Sequence, residues 1–363
     1  MRIALLGDIA FFGSYSISCN SQLRGNLKDI SDYLVGFDYV VGNLETPFSE
    51  QKKINGAKSA YICADKENVE LLKLLHIDAV TLANNHMFDF GNEGYELTKK
   101  LLKESGIEWF GTEGKELKVE KSGGRIALSG YCCYTSNPLK CVLKGEYGVD
   151  AYNLKDAESF IQNSVSKQYL PILAIHAGLE HVNYPSLDHI HAARLLSKCG
   201  KFVYYGHHPH VVQGVEAYNN SLIAHSLGNF CFDDVYTSAS KTTPLIKLTE
   251  NNRTGMILEL TVDENNLIEW KEQAIHIRED GKISLIDNNT LFKEYNEAVL
   301  TCENNTDEYT ARRSAVLKRR ISERKAKRNF AWYIKRLRPR YVRLVLDMRR
   351  NDKLYNDCVK KYI

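Results

Sequence analysis

The sequence predicts an α/β domain built on a mostly parallel sheet with helices on both faces, followed by a basic helical extension. Short continuous apolar runs alternate with amphipathic segments, the pattern of strands buried on both sides and joined by helices. The charge is segregated. Residues 312–350 hold sixteen Lys/Arg against Glu323 and Asp347, a net +14, whereas the remainder holds 32 basic against 43 acidic side chains, a net −11. The whole-chain value of +3 over 363 residues therefore describes neither part. With 44% hydrophobic and 26% charged residues, the composition is that of a globular protein and excludes a disordered or fibrous chain.

The expected strands are Ile3–Leu6, Tyr39–Val41, Ala79–Ala83, Ile126–Ser129, Ile172–Ile175, Phe202–Tyr205 and Leu222–Ala224. Between them Glu67–His76, Tyr95–Ser105 and His189–Cys199 read as helices. Gly106 and Gly200 stand where a helix-terminating glycine belongs. From Thr254 to Leu285 the pattern changes to strand-like alternation, read as late strands closing the same domain. The first domain is expected over residues 1–295 and the extension over 305–363. Met1–Leu6 is too short an apolar run for a signal sequence and reads as a core strand, so the expected location is cytoplasmic. Nine irregularly spaced cysteines without a Cys-x-x-Cys pair predict reduced, structural thiols.

Five apolar runs end in polar residues: at Asp8, at Asn43-Leu44-Glu45, at Asn84-Asn85-His86, at His176, and at His207-His208-Pro209-His210. In a mostly parallel sheet the carboxyl ends of strands lie along one edge, so these residues converge despite their separation in sequence. Carboxylate, amide carbonyl and imidazole together suit Mn²⁺, Fe²⁺ or Zn²⁺. Two such ions close together need a bridging carboxylate, Glu45 or Asp8, and can support phosphoryl displacement. Three imidazoles within four residues seldom serve packing. His76, His181, His189, His191, His225 and His276 lack this context and read as structural or surface residues, His225 being the least settled.

The stretches Gly7-Asp8, Gly42-Asn43-Leu44-Glu45-Thr46-Pro47, Ala83-Asn84-Asn85-His86 with Asp89 and Gly91, His176-Ala177-Gly178-Leu179-Glu180, Gly206 to Gly214 and Ser226-Leu227-Gly228-Asn229-Phe230 resemble the bacterial CapA family. These are capsule and poly-γ-glutamate synthesis proteins of the calcineurin-like metallophosphoesterase superfamily. The resemblance covers about the first 290 residues. It implies a four-layer α/β/β/α sandwich with a two-metal site between the sheets. By that resemblance Asp8, Glu45, Asn85, His176, His208 and His210 hold two divalent ions, with Glu45 bridging and His207 a rival to His208. His86 stands beside the leaving group and Asp89 orients it. Asn43, Asn84, Glu180 and Asn229 are further metal or substrate contacts. Two departures from superfamily phosphatases stand out: Ala10 replaces the usual His two residues after the first Asp, and the bridge is Glu rather than Asp. One imidazole fewer makes a single-ion or empty centre the alternative.

The activity implied is a metal-dependent hydrolase of a phosphoester or related bond in capsule or surface-polymer synthesis, with a metal-activated hydroxide as nucleophile. Its substrate would be a small molecule or a polymer. The alternatives are a non-catalytic accessory protein that binds polymer or a synthase, and a γ-glutamyl amide hydrolase or transferase. In the extension, Pro339 separates two expected helices, about 308–337 and 340–350. Their apolar stripe either packs on the domain or meets an anionic membrane at its inner face. The membrane reading uses Arg319, Arg320, Lys325, Arg328, Trp332, Lys335 and Arg336. Nucleic acid is disfavoured, because no groove-reading motif is present.

Overall fold

The computed structural model describes residues 1–51, 58, 60–236, 242–287, 290, 292–326, 334 and 337–363. In chain order the strands are β1 (Arg2–Ile9), β2 (Tyr39–Leu44), β3 (Ala79–Thr81), β4 (Glu108–Phe110), β5 (Leu117–Lys121), β6 (Gly124–Cys132), β7 (Cys141–Val142), β8 (Val149–Asp150), β9 (Leu170–His176), β10 (Val203–His207), β11 (Val215–Tyr218), β12 (Ser221–Ala224), β13 (Asn229–Cys231), β14 (Thr254–Asp263), β15 (Asn266–Ile277) and β16 (Ile283–Leu285). Among the described residues, one sheet runs β16-β15-β14-β1-β2-β3-β4, with β13 also paired to β1. A second runs β11-β12-β10-β9-β6-β5.

The side-chain alternation along β1 generates the layers. Ile3 and Leu5 face a cluster shared with Ile126, Leu128, Ile172, Ala174, Val203 and Tyr205 of the second sheet, so the sheets pack face to face. Ala4 and Leu6 point the other way, into helices carrying Ile30, Leu34, Leu71, Leu72 and Leu102. On the far side of the second sheet, Ala127, Leu173, Ile175 and Tyr204 meet Phe160 and Ile161 of helix Leu154–Ser166 and Ala192 of helix Leu187–Leu196. The result is the four-layer α/β/β/α sandwich. Each fully buried Leu or Ile at these interfaces contributes about 1.5–3 kcal/mol. The Tyr205 hydroxyl ties the sheets together by donating across the interface to the carbonyls of Leu6 and Val41.

Helix Gly91–Glu104 ends through Gly106, which is left-handed at φ +71°. Gly200 differs from expectation. It follows the short turn Ser197–Cys199 with φ 149° and ψ 170°, an extended glycine conformation rather than the left-handed cap. Late strands β14–β16 extend the first sheet, β14 running antiparallel to β1. No two cysteines are disulfide-bonded among the described residues.

The extension is joined closely to the domain. Helix Lys293–Thr301 lies on β11, and Val299, Cys302 and Tyr309 share a cluster with Tyr184 and Ile190. Arg194 is buried against Glu216 at 2.6 Å and donates to the Val299 carbonyl at 2.9 Å, which anchors the same helix. Helix Thr306–Ala326 follows, and helix Pro339–Cys358 begins with Pro339 at its first turn. The latter runs eight residues beyond the expected end because Tyr355 and Val359 insert into the helical layer of the second sheet. Tyr341, Leu344, Leu354 and Cys358 are partly covered, whereas Val342, Val345 and Leu346 are exposed. No helix among the described residues is long and apolar enough to cross a membrane.

Candidate metal centre

Strand pairing brings the polar run-ends together. Asp8 on β1 is in register with Asn43 on β2 and Asn229 on β13, and His207 on β10 is in register with His176 on β9. Asp8 is fully buried. Its Oδ1 accepts from Asn43 Nδ2 at 2.8 Å and from His207 Nδ1 at 3.0 Å, while its Oδ2 faces His210 Nδ1 at 3.3 Å. His176 Nε2 lies 2.9 Å from Asn85 Oδ1 and 3.1 Å from His208 Nδ1. His210 Nδ1 donates to Asn229 Oδ1 at 2.9 Å, which turns Nε2 towards Glu45. Asn84 holds the loop in place, donating to the Leu44 carbonyl at 2.8 Å and accepting from the His86 amide at 3.1 Å.

Glu45 lies at the middle of this assembly. Both carboxylate oxygens are buried and have no hydrogen-bond partner among the described residues. Its Oε1 is 3.5 Å from His210 Nε2, 3.8 Å from His176 Nε2 and 4.0 Å from His86 Nε2. An unpartnered buried carboxylate is costly unless a cation or proton neutralises it. Glu45, His208 and His210 present ligand atoms within 4.8 Å of one another. The donor set, carboxylate and imidazole without thiolate, fits a divalent ion of the Mn, Fe or Zn type. His208 and His210 carry φ of +93° and +55°, unusual for non-glycine residues. Strain of this kind persists where surrounding structure enforces it. His207 instead hangs on Asp8 through Nδ1, and its buried Nε2 has no partner among the described residues.

The position of Ala10 is filled by carbon. Ala10 packs with Ile62, Phe232, Val235 and Leu248, and the Phe232 ring lies 4.7 Å from the His210 ring. No described side chain replaces the missing imidazole on that strand.

Burial and charge set the protonation states. Burial pushes the Glu45 carboxyl up to about 8, and the Asp8 carboxylate adds to this against the pull of His210. Burial disfavours charge on His210, but Glu45 and Asp8 outweigh it and raise the imidazole to about 10. Burial holds His208 down to about 3 and lowers His176 well below the ordinary imidazole value. Asp8 is lowered well below the usual carboxylate range, because hydrogen bonds from His207 and His210 overcome its burial.

His86 forms the second chemical group. Its Nδ1 donates to Asp89 Oδ2 at 2.6 Å. Asp89 also accepts from the Ile62 amide at 3.0 Å and from Lys58 Nζ at 2.5 Å, while Lys58 donates to the Asn85 carbonyl at 2.8 Å. Sequence reasoning missed Lys58, one of three lysines in the segment 52–58, since nothing in the sequence shows which of them reaches Asp89. Burial first, then the Lys58 charge, lowers the His86 pKa against the pull of Asp89. Lys58→Met is therefore expected to raise the His86 pKa in the metal-free protein, followed by NMR titration of its ring proton. An unchanged titration would show that the Lys58 charge is not felt there.

Other histidines divide. His181 has φ +57°, pairs with Asn252 at 2.7 Å, and lies 6.2 Å from the His210 ring, at the edge of the site. Asn252 also donates to the His210 carbonyl at 2.9 Å. His225 pairs with Glu216 at 3.4 Å, away from the centre. Of the extension's residues, Arg319 is exposed and paired with Glu323, and Lys325 is exposed. Arg320, one of the residues of the membrane reading, turns onto Glu180, whose carboxylate lies 2.7 Å away. Arg328, Trp332, Lys335 and Arg336 lie outside the described residues.

The capsule biosynthesis protein CapA of Bacillus anthracis is 31% identical over 225 residues, covering 58% of this chain and 54% of that protein. The PGA biosynthesis protein CapA of Bacillus subtilis is 30% identical over 237 residues, covering 62% and 61%. The chain thus spans little more than half the length of these relatives. Among solved structures, a Haemophilus influenzae NAD nucleotidase is 15% identical at a TM-score of 0.40, covering 88% of this chain and 60% of that one. Residues 2–234, which carry the strand-end polar residues described above, match the family described as bacterial capsule synthesis protein PGA_cap, and the chain belongs to that family.

Proposed function

We propose that this protein is a metal-dependent hydrolase acting on a phosphoester or related bond in the synthesis of a capsule or other surface polymer. The observation that carries the reading is Glu45, a carboxylate buried without a hydrogen-bond partner among the described residues and faced by three imidazoles. Asp8, Glu45, Asn85, His176, His208 and His210 would hold the cations. Bound divalent ions would supply Lewis acidity and a more acidic water. His86 remains outside that set as a proton-handling group. With Nδ1–H on Asp89, its Nε2 faces the Glu45 side of the site, where it can accept a proton or, once protonated, donate one to a leaving oxygen. Asp89 fixes the tautomer and stabilises the charged ring, and Lys58 restrains how readily that charge forms. Of His86, His176, His207, His208 and His210, His86 at 9% and His210 at 7% are the most exposed, so solvent and substrate would approach from their side.

Elemental analysis of the purified protein, with turnover assays on bis(p-nitrophenyl) phosphate and a γ-glutamyl anilide in Mn²⁺, tests this reading. Bound metal and phosphodiester turnover are expected. His86→Ala should lower kcat by roughly 10²–10⁴ while leaving metal content intact, and His210→Ala should lower both. A protein that takes up no metal and turns over neither compound is the accessory protein instead. Turnover of the anilide alone assigns the amide chemistry.

A further inference from the structure

Glu180 lies four residues beyond His176, and two arginines from outside the family-matched region reach it. Arg320 Nη2 is 2.7 Å from Glu180 Oε2, and Arg324 Nη2 is 3.0 Å from the same oxygen. Both belong to helix Thr306–Ala326, whereas the family match ends at residue 234. The Arg320 side chain is only 13% exposed, and its Nη1 is buried with no hydrogen-bond partner among the described residues.

A tether between extension and domain would explain one ion pair. It does not explain two guanidinium groups on one carboxylate oxygen, which leave a surplus positive charge. Nor does it explain the unused donor, since a buried unsatisfied donor costs about 1–3 kcal/mol. The location supplies the reason. Glu180 immediately precedes His181, whose amide donates to the Pro209 carbonyl at 2.6 Å and whose ring lies 6.2 Å from that of His210, so the segment carrying Glu180 borders the metal centre. A guanidinium fork beside a phosphoryl-transfer site matches the two oxygens of a phosphate or carboxylate.

We propose that Arg320 and Arg324 form an oxyanion subsite at the rim of the metal centre, occupied by Glu180 until a substrate's phosphate or carboxylate group arrives. The proposal rests on the hydrolase reading above and assigns its substrate class: a chain with an anionic group adjoining the bond cleaved. The extension then completes the site, and selectivity for polyanionic substrates resides in a segment that the family match does not include.

Calorimetric titration of the full-length metal-free protein with inorganic phosphate, and separately with glutarate, reads the subsite directly. Arg320→Ala and Arg324→Ala should each weaken binding roughly tenfold or more. Arg320→Lys should fall between, keeping charge but losing the fork, and Glu180→Gln should bind more tightly because the internal competitor is gone. The probe whose affinity changes identifies the group recognised. Metal content and thermal midpoint check that each variant is folded, and Arg320→Lys serves if Arg320→Ala is not. Unchanged affinity for both anions in folded Arg320 and Arg324 variants overturns the subsite while leaving the hydrolase reading intact. A wild type without turnover, whose phosphate binding still depends on Arg320, removes the hydrolase reading and keeps the subsite.

Discussion

Glu45→Gln is expected to abolish divalent-cation binding while making the metal-free protein relatively more stable as pH rises. The two effects have opposite signs because, in the function proposed above, Glu45 serves a cation and not the fold. Its oxygens have no hydrogen-bond partner among the described residues, and burial raises its carboxyl from an ordinary 4.5 to about 8. A carboxyl whose folded pKa is raised favours folding when protonated. That advantage is complete below the unfolded value and is lost as pH climbs from about 4.5 towards 8. The amide carries no such penalty. Thermal midpoints of wild type and Glu45→Gln without metal should therefore differ least near pH 4, and should separate in favour of the variant by pH 8. Adding Mn²⁺ should reverse the order. A ligand at a hundred times its Kd stabilises the wild type by about 2.7 kcal/mol, and the variant should gain almost nothing. A variant that is less stable at pH 8 without metal, yet still responds to Mn²⁺, would show Glu45 to be a structural residue.

The fold was legible in the sequence because its central strands are buried on both sides. Such strands read as unbroken apolar runs, and Ile3–Leu6, Ile172–Ile175 and Leu222–Ala224 all fall within observed strands. Edge strands were not legible. β5 alternates half-exposed and exposed residues, and β4 is three residues long, so neither carries a run. The convergence of Asp8, Asn43, Asn84, His176 and His210 followed from where strands end, since parallel pairing delivers their carboxyl ends to one edge. Lys58 and Arg320 act across long separations from loop and helix. Lys58 reaches Asp89 over 31 positions and Arg320 reaches Glu180 over 140. Their sequence neighbourhoods hold other lysines and arginines, so charge alone does not single them out. The composition of the basic extension suits an anionic surface, and composition alone does not show that Arg320 and Arg324 are paired with a carboxylate of the domain.

Gly206→Ala is expected to be the most damaging small substitution in the chain. Gly206 precedes His207 and His208 on β10, and a Cβ there would lie 1.9 Å from the His225 carbonyl oxygen and 2.4 Å from its carbon. Both are backbone atoms, and the adjoining Leu227 amide donates to the Gly206 carbonyl at 3.2 Å, so no side-chain rotation relieves the overlap. The segment 225–227 must move outward by more than an ångström. That shift would carry His207, His208 and His210 away from Asp8, which they now meet at 3.0–3.3 Å. Overpacking of this kind costs about 1–3 kcal/mol where neighbours can adjust, and more is expected where only backbone can yield. Gly91 makes a useful contrast: it has φ +67° and nothing within 4 Å of an added Cβ, so Gly91→Ala should cost only the left-handed strain, about 1–2 kcal/mol. Gly25 lies in a short helical turn with open space around it, and Gly25→Ala should be neutral or stabilise by about 0.5–1 kcal/mol. Denaturant midpoints should rank Gly25→Ala above wild type or level with it, Gly91→Ala below, and Gly206→Ala lowest. Only Gly206→Ala should also lose Mn²⁺ binding while still folded at low temperature. If Gly206→Ala and Gly91→Ala prove equally mild, β10 is not wedged against the segment that follows β12, and the histidines do not depend on that contact for their positions.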